Sequence, residues 1–166
     1  YGALGAFSVG MGSTDIAASL ATGKTWLRVP ETIQIDVTGQ KQKYVTPKDI
    51  ILYIISLIGV DGALYKTIEM TGSVIETLDI EGRLTICNMA VESGAKAGIV
   101  FVDEKTNKHY QDYGITQEKY EIIYSDHDAS FFDKLKVDIS QLRPVVATPY
   151  SPANVTQVDQ LTNDDK

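Results

Sequence analysis

One cysteine, one tryptophan and two histidines in 166 residues leave little material for several kinds of chemistry. Cys87 cannot close a disulfide within the chain, and alone it cannot hold a zinc ion or an iron–sulfur cluster, which points to a reducing compartment. Long apolar runs are absent as well. The longest uncharged apolar run, from Ile50 to Val60, falls far short of the roughly 20 residues a membrane span needs. Basic residues are scarce: 15 lysines and arginines face 22 acidic residues for a net charge of -7, with no cluster to track a phosphate backbone. That balance argues against nucleic acid as a partner. Nothing at the start has the charged, apolar and cleavable parts of a secretion signal, so a cytoplasmic location is expected. The first residue, Tyr1, is not methionine, and the chain reads as a piece of a longer polypeptide.

What is present supports a globular α/β fold. Hydrophobic residues make up 43% of the chain, enough for a proper core at this length. Ser13 or Thr14 can cap a helix that runs through IAASLA to Gly23. From Trp26 to Val37 the period changes to two, with Ile33, Ile35 and Val37 on one face, which predicts a strand. Thr46-Pro47 opens a helix that is apolar nearly all round and should be buried. A short strand is expected over 66–70, and Asp79 can cap a helix from Ile80 to Ser93 that Gly94 ends. Ile99 to Val102 reads as a buried strand, and a polar segment to Asp133 holds one short helix ending near Gly114. Leu135, Val137 and Ile139 alternate as a strand, 144–147 is a further candidate, and Pro149 to Asn154 is turn chemistry.

Two stretches imitate a nucleotide site. ASLATGKT, from Ala18 to Thr25, fits a loose phosphate-loop pattern, and IVFVDE, from Ile99 to Glu104, could deliver a magnesium carboxylate. A nucleotide-binding module would then use Lys24 and Asp103. The order of elements speaks against it, since a phosphate loop lies between a strand and a helix whose N-terminus meets the phosphates. Here the pattern closes a helix, and Lys24 sits at the end that attracts cations and repels phosphate.

On the helix from Ile80, one face carries Ile80, Leu84, Cys87 and Val91. An adjoining polar stripe carries Thr85, Asn88 and Glu92, with an amide and a carboxylate four residues apart. Such a pair can act on one ligand or simply line an exposed helix side. His109 and His127 have no second histidine at ligand spacing and read as solvated positions.

The run RLTICNMAVESGAKAGIV from Arg83 to Val100, together with GALGAFSVGMGSTDIAASLATGKTWLRVPETI from Gly2 to Ile33, resembles the aconitase superfamily. The likeness is greatest to the branch of isopropylmalate and homocitrate dehydratases, whose large and small subunits are separate chains. GVDGALYKTIEMTG from Gly59 and SPANV from Ser151 extend it over nearly the whole chain. The resemblance implies a partial three-layer α/β/α iron–sulfur domain of aconitase type. Residues 1–25 would end the preceding α/β domain, 26–160 would form the central domain, and 161–166 would be a frayed tail. It further implies a hydro-lyase acting on a hydroxy di- or tricarboxylic acid with a 4Fe-4S cluster and a small-subunit partner. Asn88 and Glu92 fall on the family's CNM-x-x-E pattern, which makes both active-site residues. Asn88 would lie beside the cluster without being a ligand, and Glu92 would face the water or hydroxyl. Neither the family's catalytic histidine segment nor its cluster cysteines occur here, so the piece alone is expected to bind no cluster and to be inactive.

Overall fold

Four parallel strands in the order β3-β2-β1-β4 form the frame of the computed structural model, which describes residues 2–161. Tyr1 and residues 162–166 of the expected tail lie outside the described residues. Strand β1, Thr32–Thr38, buries Ile33, Ile35 and Val37 as its alternation predicts. It begins six residues later than expected, because Pro30 has no N–H to give to a ladder and Thr67 bonds to the Glu31 carbonyl at the strand's edge. Helix α2, Pro47–Ile58, returns the chain to β2, Thr67–Thr71, which pairs in parallel with β1. Its start is fixed by a complete capping box, in which Thr46 accepts from the Asp49 amide and Asp49 accepts from the Thr46 amide.

A short helix not foreseen in the sequence, α3 (Ser73–Thr77), follows β2 and buries Val74 and Ile75. Next come α4, Ile80–Met89, and β3, Ala97–Ile99. The expected strand over 99–102 is thus displaced toward the N-terminus. The ladder stops where Gly2 bridges Ile99 in parallel and the Val100 amide donates to the Gly2 carbonyl. Helix α5, Glu104–Asp112, and a long polar segment lead to β4, Asp133–Asp138, on the far side of β1. The chain ends in an antiparallel hairpin of β5, Val145–Ala147, and β6, Val155–Gln157, joined through the predicted turn region.

One apolar core unites Ile33, Ile35, Val37, Ile68 and Met70 of the sheet with the isoleucines of α2 and with Ile86 and Cys87 of α4. The alternate strand positions are polar, and there Glu69 is buried, accepting from Gln34 and from Ser125 of the long segment at 2.7 Å each. That segment therefore covers part of the second sheet face, so among the described residues helices α2 and α4 supply one layer and a loop occupies ground expected for another.

Helix α1, Ser13–Thr22, stands apart and buries no residue. Its N-cap is Gly12 with no side-chain cap, which corrects the expected Ser13 or Thr14, both of which lie inside the helix. Gly23 ends it as predicted, at φ 66°, a left-handed conformation costly for a residue with a β-carbon. Before α1 the chain is anchored: Ala3 is fully buried and the Leu4 carbonyl accepts from the Tyr110 hydroxyl.

Candidate functional site

Asp79 starts α4 by accepting a hydrogen bond from the Gly82 amide at 2.8 Å. The inward side of the helix is Ile80, Arg83, Ile86 and Cys87, continued by Ala90. Leu84 and Val91, expected on the apolar face, are instead 43% and 46% exposed. The helix packs with the Arg83 side inward, and this rotates both residues outward. The expected continuous helix to Ser93 also changes winding: α-helix ends at Met89, and Ala90–Ser93 is a 3-10 turn closed by Gly94 in the left-handed region. From Asn88 to Glu92 the chain therefore rotates through more than the roughly 400° of four α-helical steps, which swings Glu92 away from the line of Asn88. Both side chains are exposed.

Glu92 lies in a cleft of about 570 Å³ between the first turn of α2, the 3-10 turn and the β5–β6 hairpin. Polar residues on its wall are Thr46, Lys48, Asp49 and Glu92; Leu52, Met89, Val145, Val146, Ala147 and Pro152 supply an apolar side. Asp49 holds this cleft together. One carboxylate oxygen accepts from the Thr46 amide at 2.7 Å and from its hydroxyl, and the other accepts from the Val145 amide at 2.7 Å, which fastens β5 to the start of α2. Asn88 is not on the cleft wall, so the structure does not gather the two sequence-predicted residues into one pocket.

A second cavity, of about 330 Å³, opens at the carboxyl ends of β2 and β3 and includes Gly72, Arg83, Phe101, Asp103 and Tyr124. Arg83 is buried and grips Asp103, its Nη1 donating to Oδ1 at 2.9 Å. The guanidinium hydrogen bond, aided by the Thr106 amide, holds the Asp103 carboxyl down at about 2. Asp103 also caps α5 through Thr106. Its lone pairs are thus engaged in the fold, and Lys24 lies exposed beyond α1, bonded through its amide to Thr22. The nucleotide reading is overturned on both residues.

Cys87 is fully buried on the inward side of α4, and loss of solvation pushes its thiol up to about 12. Among the described residues, no three His, Cys, Asp or Glu side chains are grouped so that they could hold a metal ion. His109 stacks on Tyr113 at a centroid distance of 4.9 Å, and His127 is exposed in a turn. Among the described residues, no helix is long and apolar enough to cross a membrane.

The description of the aconitase family (aconitate hydratase) matches residues 1–166. The chain belongs to the aconitase family. A 3-isopropylmalate dehydratase large subunit from Sulfurimonas denitrificans is 53% identical over 164 residues, covering 99% of this chain and 39% of that protein. One from Caldicellulosiruptor saccharolyticus is 49% identical, with 98% and 37% covered. A large subunit 1 from Pyrococcus furiosus is 48% identical, with 96% and 37% covered. This aconitase-family chain therefore spans less than two fifths of the length of these relatives.

Sequence reasoning missed Arg83, Lys48 and strand β6; it expected β5 and the turn after it, but not that their hairpin builds the cleft wall. Arg83 and Asp103 are 20 residues apart and carry no shared local pattern. Lys48 had a usable signal, a cation in the first turn of a helix, where the dipole disfavours it.

Proposed function

We propose that the chain is the central part of the large subunit of a hydro-lyase that interconverts 2-isopropylmalate and 3-isopropylmalate by removing and re-adding water, in leucine biosynthesis. The observation that carries the proposal is chain-long identity near one half to 3-isopropylmalate dehydratase large subunits of distant organisms. In this reading the whole enzyme is cytoplasmic, pairs with a small subunit and uses a 4Fe-4S cluster whose thiolates lie outside these 166 residues. The piece alone is inactive. Residues 1–25 are assigned to the preceding α/β domain and 26–160 to the central one. The lack of buried residues in α1 supports that division, while buried Ala3 and the bridge from Gly2 to Ile99 tie the first residues to the central unit.

Glu92 is assigned the catalytic proton. Dehydration of a hydroxy acid must protonate a departing hydroxyl, and rehydration must take a proton from water. Glu92 on the cleft wall does the first as the carboxylic acid and the second as the carboxylate, while the proton on the neighbouring carbon goes to a base on the small subunit. Asn88, outside that cleft, is assigned a place beside the cluster, where its amide orients groups without ligating iron.

The test reconstitutes the full large subunit with its small subunit and compares the wild type with Glu92→Gln. A fall in kcat of about 10²–10⁴-fold is expected for loss of a positioned proton donor. Full turnover in that variant removes the role of Glu92, and turnover of homocitrate or citrate in place of isopropylmalate reassigns the substrate.

A further inference from the structure

The cleft that holds Glu92 contains a charge that the reaction as described leaves unused. Of its two carboxylates, Asp49 is consumed by the fold, since both its oxygens accept hydrogen bonds from Thr46 and Val145. Glu92 and Lys48 remain. The ion pairs among the described residues join Lys66 to Glu31, Arg83 to Asp103 and Arg143 to Asp159, and involve neither of them. Lys48 is exposed, on the cleft wall, in the first turn of α2. A cation there lies against the positive end of the helix dipole, so the helix itself does not favour a lysine at this position.

The rest of the wall narrows the ligand. Leu52, Met89, Val145 and Val146 line the same cleft with apolar surface. At about 570 Å³ the cleft falls within the roughly 300–1,000 Å³ of small-molecule sites. A dicarboxylic acid with a branched alkyl arm needs a cation for a carboxylate, an apolar wall for the arm and an acid–base group at the hydroxyl. Those three features meet here. Both the ammonium and the amino end of α2 favour an anion at that spot.

We infer that Lys48 anchors one carboxylate of the substrate while Glu92 works on the hydroxyl carbon. This rests on the reading of the chain as part of a dehydratase. Lys48 is a binding and specificity residue, and its effect falls on affinity.

The experiment uses the full large subunit with its small subunit, as wild type, Lys48→Gln and Lys48→Arg. Two quantities are measured: kcat and KM for dehydration of 3-isopropylmalate, and by calorimetry the Kd of isopropylsuccinate, which keeps both carboxylates and the branched arm but has no hydroxyl to lose. Lys48→Gln is expected to raise KM and Kd by about tenfold with kcat changed less than about threefold, and Lys48→Arg to restore most of the affinity. Unchanged KM and Kd in Lys48→Gln overturn the anchor. So does a fall in kcat with a displaced pH profile at constant KM, which would mean that Lys48 acts on Glu92. A wild type that binds and dehydrates no isopropylmalate overturns the dehydratase reading and the anchor with it, whereas an active wild type beside an unaffected variant overturns the anchor alone.

Discussion

Helices α1 and α2 are both stopped by a glycine, though only α2 has a side-chain cap at its start, and they end in opposite situations. α2 buries Asp49, Ile50, Ile51, Leu52, Ile54 and Ile55, while α1 buries nothing. Each is followed by a glycine at positive φ, so the difference does not lie in how they stop. It lies in the face between the ends. The α2 stretch DIILYIISLI is apolar around most of its circumference and must be covered on the sheet side. In α1, Ile16 and Leu20 are separated by alanines and a serine, and they stay 45% and 82% exposed. Capping permits a helix, but an isolated ten-residue helix is marginal in water and takes its stability from a packed face.

The largest test of this contrast is Ile54→Ala. Ile54 is fully buried in the core, and its truncation removes apolar burial and leaves a cavity. A loss of about 3–4 kcal/mol is expected from urea unfolding of the chain. A loss below about 1 kcal/mol would mean that the α2 face is not what holds the sheet.

Helix α5 is the intermediate case. Only Thr106 is buried on it, yet it is fastened at its start by Asp103 and through that residue to buried Arg83. Asp103→Asn leaves the guanidinium without its counter-charge. The expected cost is about 2–3 kcal/mol, below that of a fully buried pair because the Asp103 side chain is 38% exposed. The pH dependence has a definite sign. The folded-state carboxyl sits near 2 against an ordinary 3.8, so its stabilisation is complete above about pH 4 and is lost as pH falls through about 2. Wild-type stability should therefore drop toward that of the variant across this range. Parallel curves for the two proteins would show that the ion pair contributes nothing.

The same contrast explains what could be read from the sequence. The β1 alternation, the Thr46-Pro47 start of α2, Asp79 as a cap and Gly23 and Gly94 as terminators depend on neighbours a few residues away, and all were legible. The exposure of Leu84 and Val91 was not, because which side of α4 turns inward depends on Asp103, far along the chain. Glu92 was singled out from its motif. The cleft around it was not, since β5 reaches α2 through a bond from Val145 to Asp49 across 96 residues.

The smallest expected effect belongs to α1. Leu20 is 82% exposed, so Leu20→Ala removes almost no burial and exchanges one good helix former for a better one. Its effect on the unfolding of this chain should stay within about 0.5 kcal/mol. A loss near 2 kcal/mol would show that α1 has a partner in solution, and a midpoint that rises with protein concentration would identify that partner as a second copy. In the full-length subunit the outcome should differ. If α1 closes a preceding α/β domain, Leu20 has a core to enter there, and the same substitution should then cost as much as a truncation in α2.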